Sequence, residues 1–297
     1  MFNVKVTLNS FQGLFVLVLF FCISCNAQTN KQSYSDQDKK IFKEKIQLAK
    51  QKDLFNKPIN EVIVEIGKSF IGTEYKGFVL EEDGEEHLVV NLRELDCTTY
   101  LENVLTIARC IKQKDTSFEN YLFELQYVRY RWGFVYNYPS RLHYFSDWIY
   151  NNEFKSVVRD ITKEIGGEKI KFELNFMSTH PESYKHLKEN PKFIPEIRDQ
   201  EKEISEREYY FIPKSKIEDV ESKIESGDMI AFTSNIKGLD VNHVGIAVQM
   251  EDNRIHILHA PEPGTKVQIT PLPLPEYIAK IKHDTGIIVL RAVEPFN

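Results

Sequence analysis

The chain has 297 residues, of which 42% are hydrophobic and 28% are charged. A chain of this length and composition can bury a substantial core, which excludes an intrinsically disordered protein. Its formal net charge of −6 argues against a nucleic-acid partner, because binding to phosphates requires an excess of basic residues. We expect a single folded domain over residues 28–297.

Residues 1–27 have the pattern of a signal peptide. Lys5 is followed by an apolar run over residues 14–21, which is too short to span a membrane comfortably. Two processing routes are open. Ile23-Ser24-Cys25 resembles a bacterial lipobox, in which Cys25 would carry a lipid that anchors the chain to a membrane. Alternatively, a small-residue site is cleaved before Gln28, and both routes predict an exported protein of the bacterial cell envelope, either periplasmic or an outer-membrane lipoprotein.

Helices dominate the predicted elements up to about residue 114. A charged stretch over residues 36–52 carries an apolar stripe, and a second helix is expected from about residue 59 to residue 70. The Asp83-Gly84 turn signal suggests a β-hairpin over residues 81–91. A third helix starts near Cys97, and its apolar residues recur at helical spacing: Leu101, Val104, Leu105 and Ala108.

The remainder of the chain divides into an aromatic and charged segment and a β-rich end. Residues 115–208 are rich in Tyr, Trp and Phe and then in charges, and we interpret them as a large, mostly helical insertion. Within it, residues 196–208 are predicted to form a solvated helix rather than a binding surface. Short apolar runs bounded by turn residues predict strands over residues 228–233, 243–249, 254–260 and 286–293.

Cys97 is the first candidate for chemistry, because it lies at the start of a helix. Thr99-x-x-Glu102 fits a capping box, and Asp96 could cap the helix instead. A thiol reacts as the thiolate, whose pKa falls at a helix N-terminus and beside an imidazole. On one helix, Cys97 and Cys110 would lie about 20 Å apart, too far for a disulfide. We therefore expect Cys97 to be a nucleophile and Cys110 a small buried residue.

His243 is the candidate partner of this thiol. Strand alternation puts His243, Gly245 and Ala247 on one face, and small residues on that face would admit the Cys97 helix. A general base needs a third group that orients its ring. His256 and His259 are three residues apart and face opposite sides of a strand, so only one of them can serve, and the pattern does not choose between them.

Two other interpretations of these side chains stay open. A lone histidine at a strand end is commonly structural. Cys97, His243 and His259 could also bind zinc and leave a fourth position open. After the predicted signal peptide, the sequence contains neither a Cys-x-x-Cys pair nor a His-Glu-x-x-His motif, so we expect neither a metal nor another cofactor.

A further candidate lies in the aromatic segment, where Ser140 could cap a helix after Pro139. One face of that helix would be apolar. The other would carry side chains that could form a ridge for sugar rings and carboxylates, or could be an aromatic core with a surface arginine. The side chains of this second face are Arg141, Tyr144 and Trp148.

Several motifs, in this order along the chain, resemble those of the NlpC-type cell-wall hydrolases, which are papain-like cysteine peptidases acting on peptidoglycan. They are Ile71-Gly72-Thr73-Glu74-Tyr75, Leu95-Asp96-Cys97-Thr98-Thr99, His243-Val244-Gly245-Ile246 and His259-Ala260-Pro261. Further motifs are similar to the N-acetylmuramoyl-L-alanine amidase-like branch of that superfamily. These are Asp-Cys-Thr-Thr-Tyr-x-Glu from Asp96, the run from Ser140 to Trp148, and the run from Gly238 to His243. The resemblance extends from about residue 59 to the C-terminus.

The resemblance implies an α+β, papain-like fold in which a nucleophile helix packs on an antiparallel sheet. It implies that Cys97 is the nucleophile, His243 the general base and His259 the orienting residue, since His259 matches the His-Ala pair of the family. Backbone N–H groups at the start of the Cys97 helix would stabilise the oxyanion. The expected substrate-binding residues are Tyr75, Asp96, Thr98, Arg141, Tyr144, Trp148 and Asn242.

Departures from the superfamily pattern bear on which bond is cleaved. Many NlpC-type endopeptidases have Asp-Cys-Ser-Gly and use the Asp to meet a free L-Ala ammonium, whereas this chain has Thr98-Thr99 after the cysteine. An amidase substrate has that nitrogen acylated, so it offers no ammonium. We therefore expect hydrolysis of the amide between N-acetylmuramic acid and L-alanine, in peptidoglycan or muropeptides, through a thioester on Cys97.

Three alternatives stay open: a γ-D-glutamyl-diamino-acid endopeptidase, a lipid or acyl-ester hydrolase, and a non-catalytic peptidoglycan-binding lipoprotein. The sequence does not fix the oligomeric state.

Overall fold

The computed structural model describes residues 31–296. The predicted signal peptide and the candidate lipid site at Cys25 lie outside this range. None of the helices within it is long and apolar enough to cross a membrane. The α-helices in the described range are α1 (Asp36–Gln51), α2 (Ile59–Lys68), α3 (Cys97–Gln113), α4 (Phe118–Arg129), α5 (Phe145–Phe154), α6 (Thr162–Ile165), α7 (Phe176–Thr179), α8 (Lys185–Glu189), α9 (Ile194–Ser205), α10 (Ile217–Val220) and α11 (Leu274–Ala279).

The strands form one large sheet and two small ones. They are β1 (Gln32–Ser33), β2 (Glu74–Tyr75), β3 (Leu88–Val89), β4 (Glu94–Leu95), β5 (Val158–Asp160), β6 (Glu168–Ile170), β7 (Tyr209–Pro213), β8 (Met229–Ser234), β9 (Val241–Gln249), β10 (Ile255–His259), β11 (Gln268–Ile269) and β12 (Asp284–Ala292). The large sheet has eight strands in the order β11-β10-β9-β8-β12-β7-β6, with β5 also paired to β12. All of its pairs are antiparallel.

Both faces of this sheet are covered, because its strands alternate apolar residues between two clusters. On β12, Ile288 and Leu290 face the larger cluster, which also contains the buried residues of α1 to α5. Ile287 and Val289 face the smaller cluster with residues of α6, α10 and α11. The predicted helices over 36–52 and 59–70, the Cys97 helix and the four C-terminal strands are therefore confirmed within a few residues.

The segment predicted as an insertion is joined to the sheet rather than appended to it. It contains α4 to α9, in agreement with the prediction of a mostly helical segment. Strands β5 and β6 also lie within it; β5 pairs with β12, and β6 pairs with β7. The charged stretch near its end is a helix, α9, which buries Ile197, Glu201 and Ile204 and is otherwise largely solvated.

Buried ion pairs fix this segment to α3. Arg129 of α4 donates to Glu102 of α3 at 2.7 Å, and both side chains are only 2% exposed. Glu102 also accepts from the indole of Trp148 at 3.2 Å, and α3 is tied to α4 again by Arg109 and Glu124 at 2.7 Å. Since a buried charge without its partner is costly, these pairs set the position of α4 and α5 against α3.

Two local predictions were wrong. Residues 81–91 do not form a hairpin: β3 pairs in parallel with β1, an N-terminal strand that the sequence pattern did not reveal. Ser140 does not cap a long helix, because it ends a short 3₁₀ turn (Tyr138–Ser140) and α5 begins only at Phe145. In that turn the Ser140 hydroxyl donates to the carbonyl of Asn137, so it serves the turn instead of the helix.

We expect Glu102→Ala to lower the free energy of unfolding by about 3–5 kcal/mol, because it leaves the Arg129 guanidinium buried and unpaired. Urea unfolding followed by circular dichroism measures this. The matched control is Glu164→Ala, which breaks the exposed Arg159–Glu164 pair and should hardly move the midpoint. Equal midpoints for both variants would contradict the role given to the Glu102–Arg129 pair.

Candidate active site

The start of α3 is fixed by a reciprocal cap between Asp96 and Thr99. The Asp96 carboxylate accepts from the Thr99 amide at 2.8 Å and from the Thr99 hydroxyl at 2.8 Å, and the Asp96 amide donates back to that hydroxyl at 3.0 Å. Of the two predicted caps, Asp96 is therefore the one used, and Glu102 is committed to Arg129 instead. Cys97 is the first residue of the helix, where its thiol lies beside unpaired backbone N–H groups.

The Cys97 thiol is half-buried and faces strand β9. Its Sγ lies 3.9 Å from the Thr98 hydroxyl, and the backbone amide of Val244, next to His243, hydrogen-bonds to it. Burial raises the pKa of this thiol to about 12; the Asp96 carboxylate raises it further, and hydrogen bonds from Val244 and Thr98 lower it by less than the two together. The sequence led us to expect a lowered pKa; desolvation reverses the sign, so the resting group is a thiol.

His243 and His259 form a hydrogen-bonded pair on adjacent antiparallel strands. His243 Nε2 lies 2.6 Å from His259 Nδ1. Burial lowers the pKa of His243 to about 3, assisted by His259, and burial alone lowers that of His259 to about 4. Both rings are therefore neutral at pH 7, and His243 can accept a proton.

The two histidines of β10 have different partners in the structure. His259 contacts His243, whereas His256 is buried elsewhere, where its ring hydrogen-bonds to the Thr270 carbonyl at 2.8 Å and to Asp252 at 3.1 Å. The strand periodicity that put the two histidines on opposite faces was correct.

The small residues on the His243 face serve a different purpose from the one predicted. A Cβ on Gly245 would lie 2.4 Å from the Ile257 side chain and 3.2 Å from Cβ of His259. Gly245 thus makes room for β10 side chains rather than for the Cys97 helix. Helix α3 shares its apolar cluster with the opposite face of β9, that of Val244 and Ile246.

The thiol lies against β9, the strand that carries His243, at the backbone of Val244. Within residues 31–296, the Cys97 thiol has no hydrogen bond to His243 or His259. Its contact with β9 is the backbone amide of Val244, the residue that follows His243. The same part of the chain contains no group of three His, Cys, Asp or Glu side chains placed to hold a metal ion.

Two further predicted site residues, Tyr75 and Asn242, are carried by β2 and β9. Tyr75 is positioned by the parallel pairing of β2 with β4, the strand that leads into Asp96. Burial raises the pKa of Tyr75 to about 12, and Cys97, Asp96 and Glu262 contribute further to the rise in that order. The Tyr75 hydroxyl therefore stays protonated. Asn242 is exposed, and its amide donates to Asp284 at 2.9 Å.

The predicted sugar-binding ridge is corrected by the structure. Trp148 is fully buried and donates to Glu102, and Tyr144 is 5% exposed and donates to Glu201 at 2.7 Å. Arg141 is 7% exposed and donates to Glu86 at 2.8 Å and to Glu81 at 2.7 Å. The aromatic-core alternative was right for the two rings, but the arginine is also interior, because the carboxylates of a distant loop neutralise it.

A cavity of about 430 Å³ opens beside the histidine pair. Three ionisable residues of its lining were not predicted from the sequence: Glu262, Tyr277 and Asp284. Glu262 directly follows the His259-Ala260-Pro261 motif, which was a usable signal, but Tyr277 and Asp284 reach the cavity only through folding. The lining residues are Asn242, His243, His259, Pro261, Glu262, Thr265, Gln268, Thr270, Pro271, Tyr277, Ile281 and Asp284.

A family model and a solved structure of similar sequence both point to the same family. The family model of N-acetylmuramoyl-L-alanine amidase-like (AmiA-like) proteins matches residues 65–287. An N-acetylmuramoyl-L-alanine amidase from Bacteroides uniformis is 35% identical, with a TM-score of 0.76 over 79% of this chain and 99% of that one. A Bacteroides fragilis protein provisionally named a xylanase is 41% identical, with a TM-score of 0.72 over 76% and 98% of the two chains.

A more distant structure shares the fold alone. A Legionella pneumophila protein of the DUF1460 family is 20% identical, with a TM-score of 0.63 over 84% of this chain and 95% of that one. No curated protein matches the chain.

We expect alkylation of Cys97 by iodoacetamide to be slow at pH 7 and to rise roughly tenfold per pH unit through the alkaline range, because the raised pKa leaves little thiolate. Mass spectrometry of the labelled peptide, with Cys97→Ala as the blank, gives the rate. A rate that is already constant between pH 5 and pH 8 would instead indicate a thiolate–imidazolium pair and contradict the neutral resting state.

Proposed function

This chain belongs to the N-acetylmuramoyl-L-alanine amidase-like family, and from that premise we propose that it is a cysteine amidase. It hydrolyses the amide bond between N-acetylmuramic acid and L-alanine in peptidoglycan or muropeptides. The observation that carries the proposal is a thiol on the first residue of α3 that lies against β9, the strand on which His243 hydrogen-bonds to His259. The same arrangement, a nucleophile helix packed on an antiparallel sheet, supports placing the chain in the NlpC-type, papain-like superfamily.

In the proposed first step, the Cys97 Sγ attacks the carbonyl carbon of the muramyl lactyl group. His243 takes the thiol proton as the S–C bond forms, because a neutral thiol beside a neutral imidazole favours transfer during the attack over a preformed ion pair. With Nε2 of His243 donating to His259, the other ring nitrogen is free to act as the base. His259 thereby holds the ring in one orientation and tautomer.

Two kinds of donor are available for the oxyanion that develops. Backbone N–H groups at the start of α3 are unpaired within the helix, as required for an oxyanion hole. The Tyr75 hydroxyl keeps its proton because its pKa is raised, so it can donate as well.

Collapse of the tetrahedral intermediate breaks the C–N bond, and His243 returns its proton to the L-Ala nitrogen. This leaves a thioester on Cys97. Water, deprotonated by His243, then attacks the thioester carbonyl and releases the lactyl carboxylate and the thiol.

The role of Asp96 favours the amidase over an endopeptidase of the same superfamily. Its Oδ1 accepts from both the amide and the hydroxyl of Thr99, which gives Asp96 a structural role as the cap of α3. An endopeptidase would need this carboxylate for a substrate ammonium, which an N-acylated alanine does not present. The name of the Bacteroides uniformis relative points the same way.

We also propose that the protein is exported to the cell envelope and that residues 1–27 are removed. The mass of the mature N-terminus distinguishes a lipid on Cys25 from cleavage before Gln28, and a retained N-terminal Met would contradict export.

The decisive experiment incubates the purified chain with a defined disaccharide-tetrapeptide muropeptide and identifies the products by mass. We expect free disaccharide and intact tetrapeptide, and an activity lower by about a millionfold in Cys97→Ala, because the nucleophile is lost. Cys110→Ala, which removes the buried thiol, should retain activity. A disaccharide that keeps L-Ala-D-Glu would establish the endopeptidase instead, and full activity of Cys97→Ala would refute the thiol mechanism.

We expect His259→Ala to lower kcat by about 10⁴-fold with KM little changed, a smaller loss than that of the nucleophile, because an orienting group does not itself react. The matched control is His256→Ala, which removes an imidazole from the same strand away from His243 and should change kcat by only a few fold. Equal losses in the two variants, measured in the muropeptide assay, would show that the effect is structural.

A further inference from the structure

The cavity beside the histidine pair lies on the imidazole side of the site, away from the thiol. Both imidazoles line it, but Cys97 does not. In the proposed reaction, His243 gives its proton to the departing nitrogen, so the leaving group must lie on the imidazole side of the thiol. The cavity is therefore positioned for the leaving group, which is the stem peptide that begins with L-Ala. Its volume of about 430 Å³ is that of a small-ligand site.

The charge of the cavity is negative. Glu262 and Asp284 line it, and no Lys or Arg is among its lining residues. Burial raises the pKa of the Tyr277 hydroxyl to about 12, and the nearby charges of Asp284 and Glu262 raise it further. Burial raises the pKa of Asp284, and the hydrogen bond from Asn242 and the charge of Lys214 lower it by less; Lys214 does not line the cavity.

Asp284 has an acceptor that the protein leaves free. Its side chain is buried, with the residue only 5% exposed, and Oδ1 accepts from Asn242 at 2.9 Å. Within residues 31–296, the other carboxylate oxygen has neither a hydrogen bond nor an ion pair, although the residue lines the cavity. A buried carboxylate with one free oxygen is a strong acceptor for an N–H donor, above all a charged one.

We propose that this cavity binds the stem peptide and that Glu262 and Asp284 receive the side-chain ammonium of its diamino acid. This inference rests on the proposed amidase function, since that function decides which part of the substrate departs past His243. An ammonium balances the two carboxylates and supplies donors to Oδ2 of Asp284, whereas the D-Glu carboxylate of the stem would be repelled and would face solvent at the cavity mouth.

The test compares two substrates of the full chain: N-acetylmuramoyl-L-Ala-γ-D-Glu-L-Lys with a free side-chain ammonium, and the same compound acetylated on that nitrogen. We expect kcat/KM to be about tenfold higher for the free ammonium, mainly through KM, as for a partly buried charge-assisted hydrogen bond. Glu262→Gln and Asp284→Asn, which keep the side-chain shapes, should each reduce this preference. Glu276→Gln removes an exposed charge that does not line the cavity and should preserve it.

A binding measurement separates this inference from the proposed function. Calorimetry with the Cys97→Ala protein compares the product peptide L-Ala-γ-D-Glu-L-Lys with its Nε-acetyl form, and we expect the free form to bind about tenfold more tightly. Cleavage of both substrates at equal rates, or equal binding of both peptides, would overturn the inference while leaving the amidase intact. Selective binding without any cleavage of the muramyl amide would overturn the proposed function alone.

Discussion

The reciprocal hydrogen bonds between Asp96 and Thr99 determine where α3 begins, and the candidate site depends on that position. Moving the helix start by one residue would rotate Cys97 by about 100° away from β9, since an α-helix has 3.6 residues per turn. Glu102, further along the same helix, binds Arg129 and the Trp148 indole in the core. One helix thus presents the thiol at its first residue and anchors the aromatic segment on its body.

Burial is the second constraint, because it acts on the thiol and on both imidazoles in opposite directions. It raises the pKa of Cys97 and lowers the pKa values of His243 and His259, so all three groups are neutral at rest. In the proposed mechanism, the proton therefore moves as the bond forms, and charge develops during the attack, where the donors at the helix start can stabilise it.

The acidic side chains of the site lie in two regions, one at the start of α3 and the other in the cavity beside the histidine pair. Near the thiol, Asp96 uses Oδ1 to cap α3 through Thr99. On the imidazole side, Glu262 and Asp284 line the cavity. In the proposed reaction, Asp96 therefore lies near the acylated alanine, and the two cavity carboxylates lie along the departing peptide.

Much of the local structure could be predicted from the sequence. The helical spacing of Leu101, Val104 and Ala108 located α3, and the alternation around His243 located β9, because both patterns are produced by backbone periodicity. The choice of His259 over His256 came from the family resemblance instead. The sequence could not show that Arg141, Tyr144 and Trp148 are interior, since their partners Glu86, Glu201 and Glu102 lie 46 to 57 positions away along the chain. The pKa of Cys97 and the acidic lining of the cavity were likewise decided by tertiary structure, because desolvation and charge proximity depend on which distant segments meet around a group, and a local pattern carries no information about that.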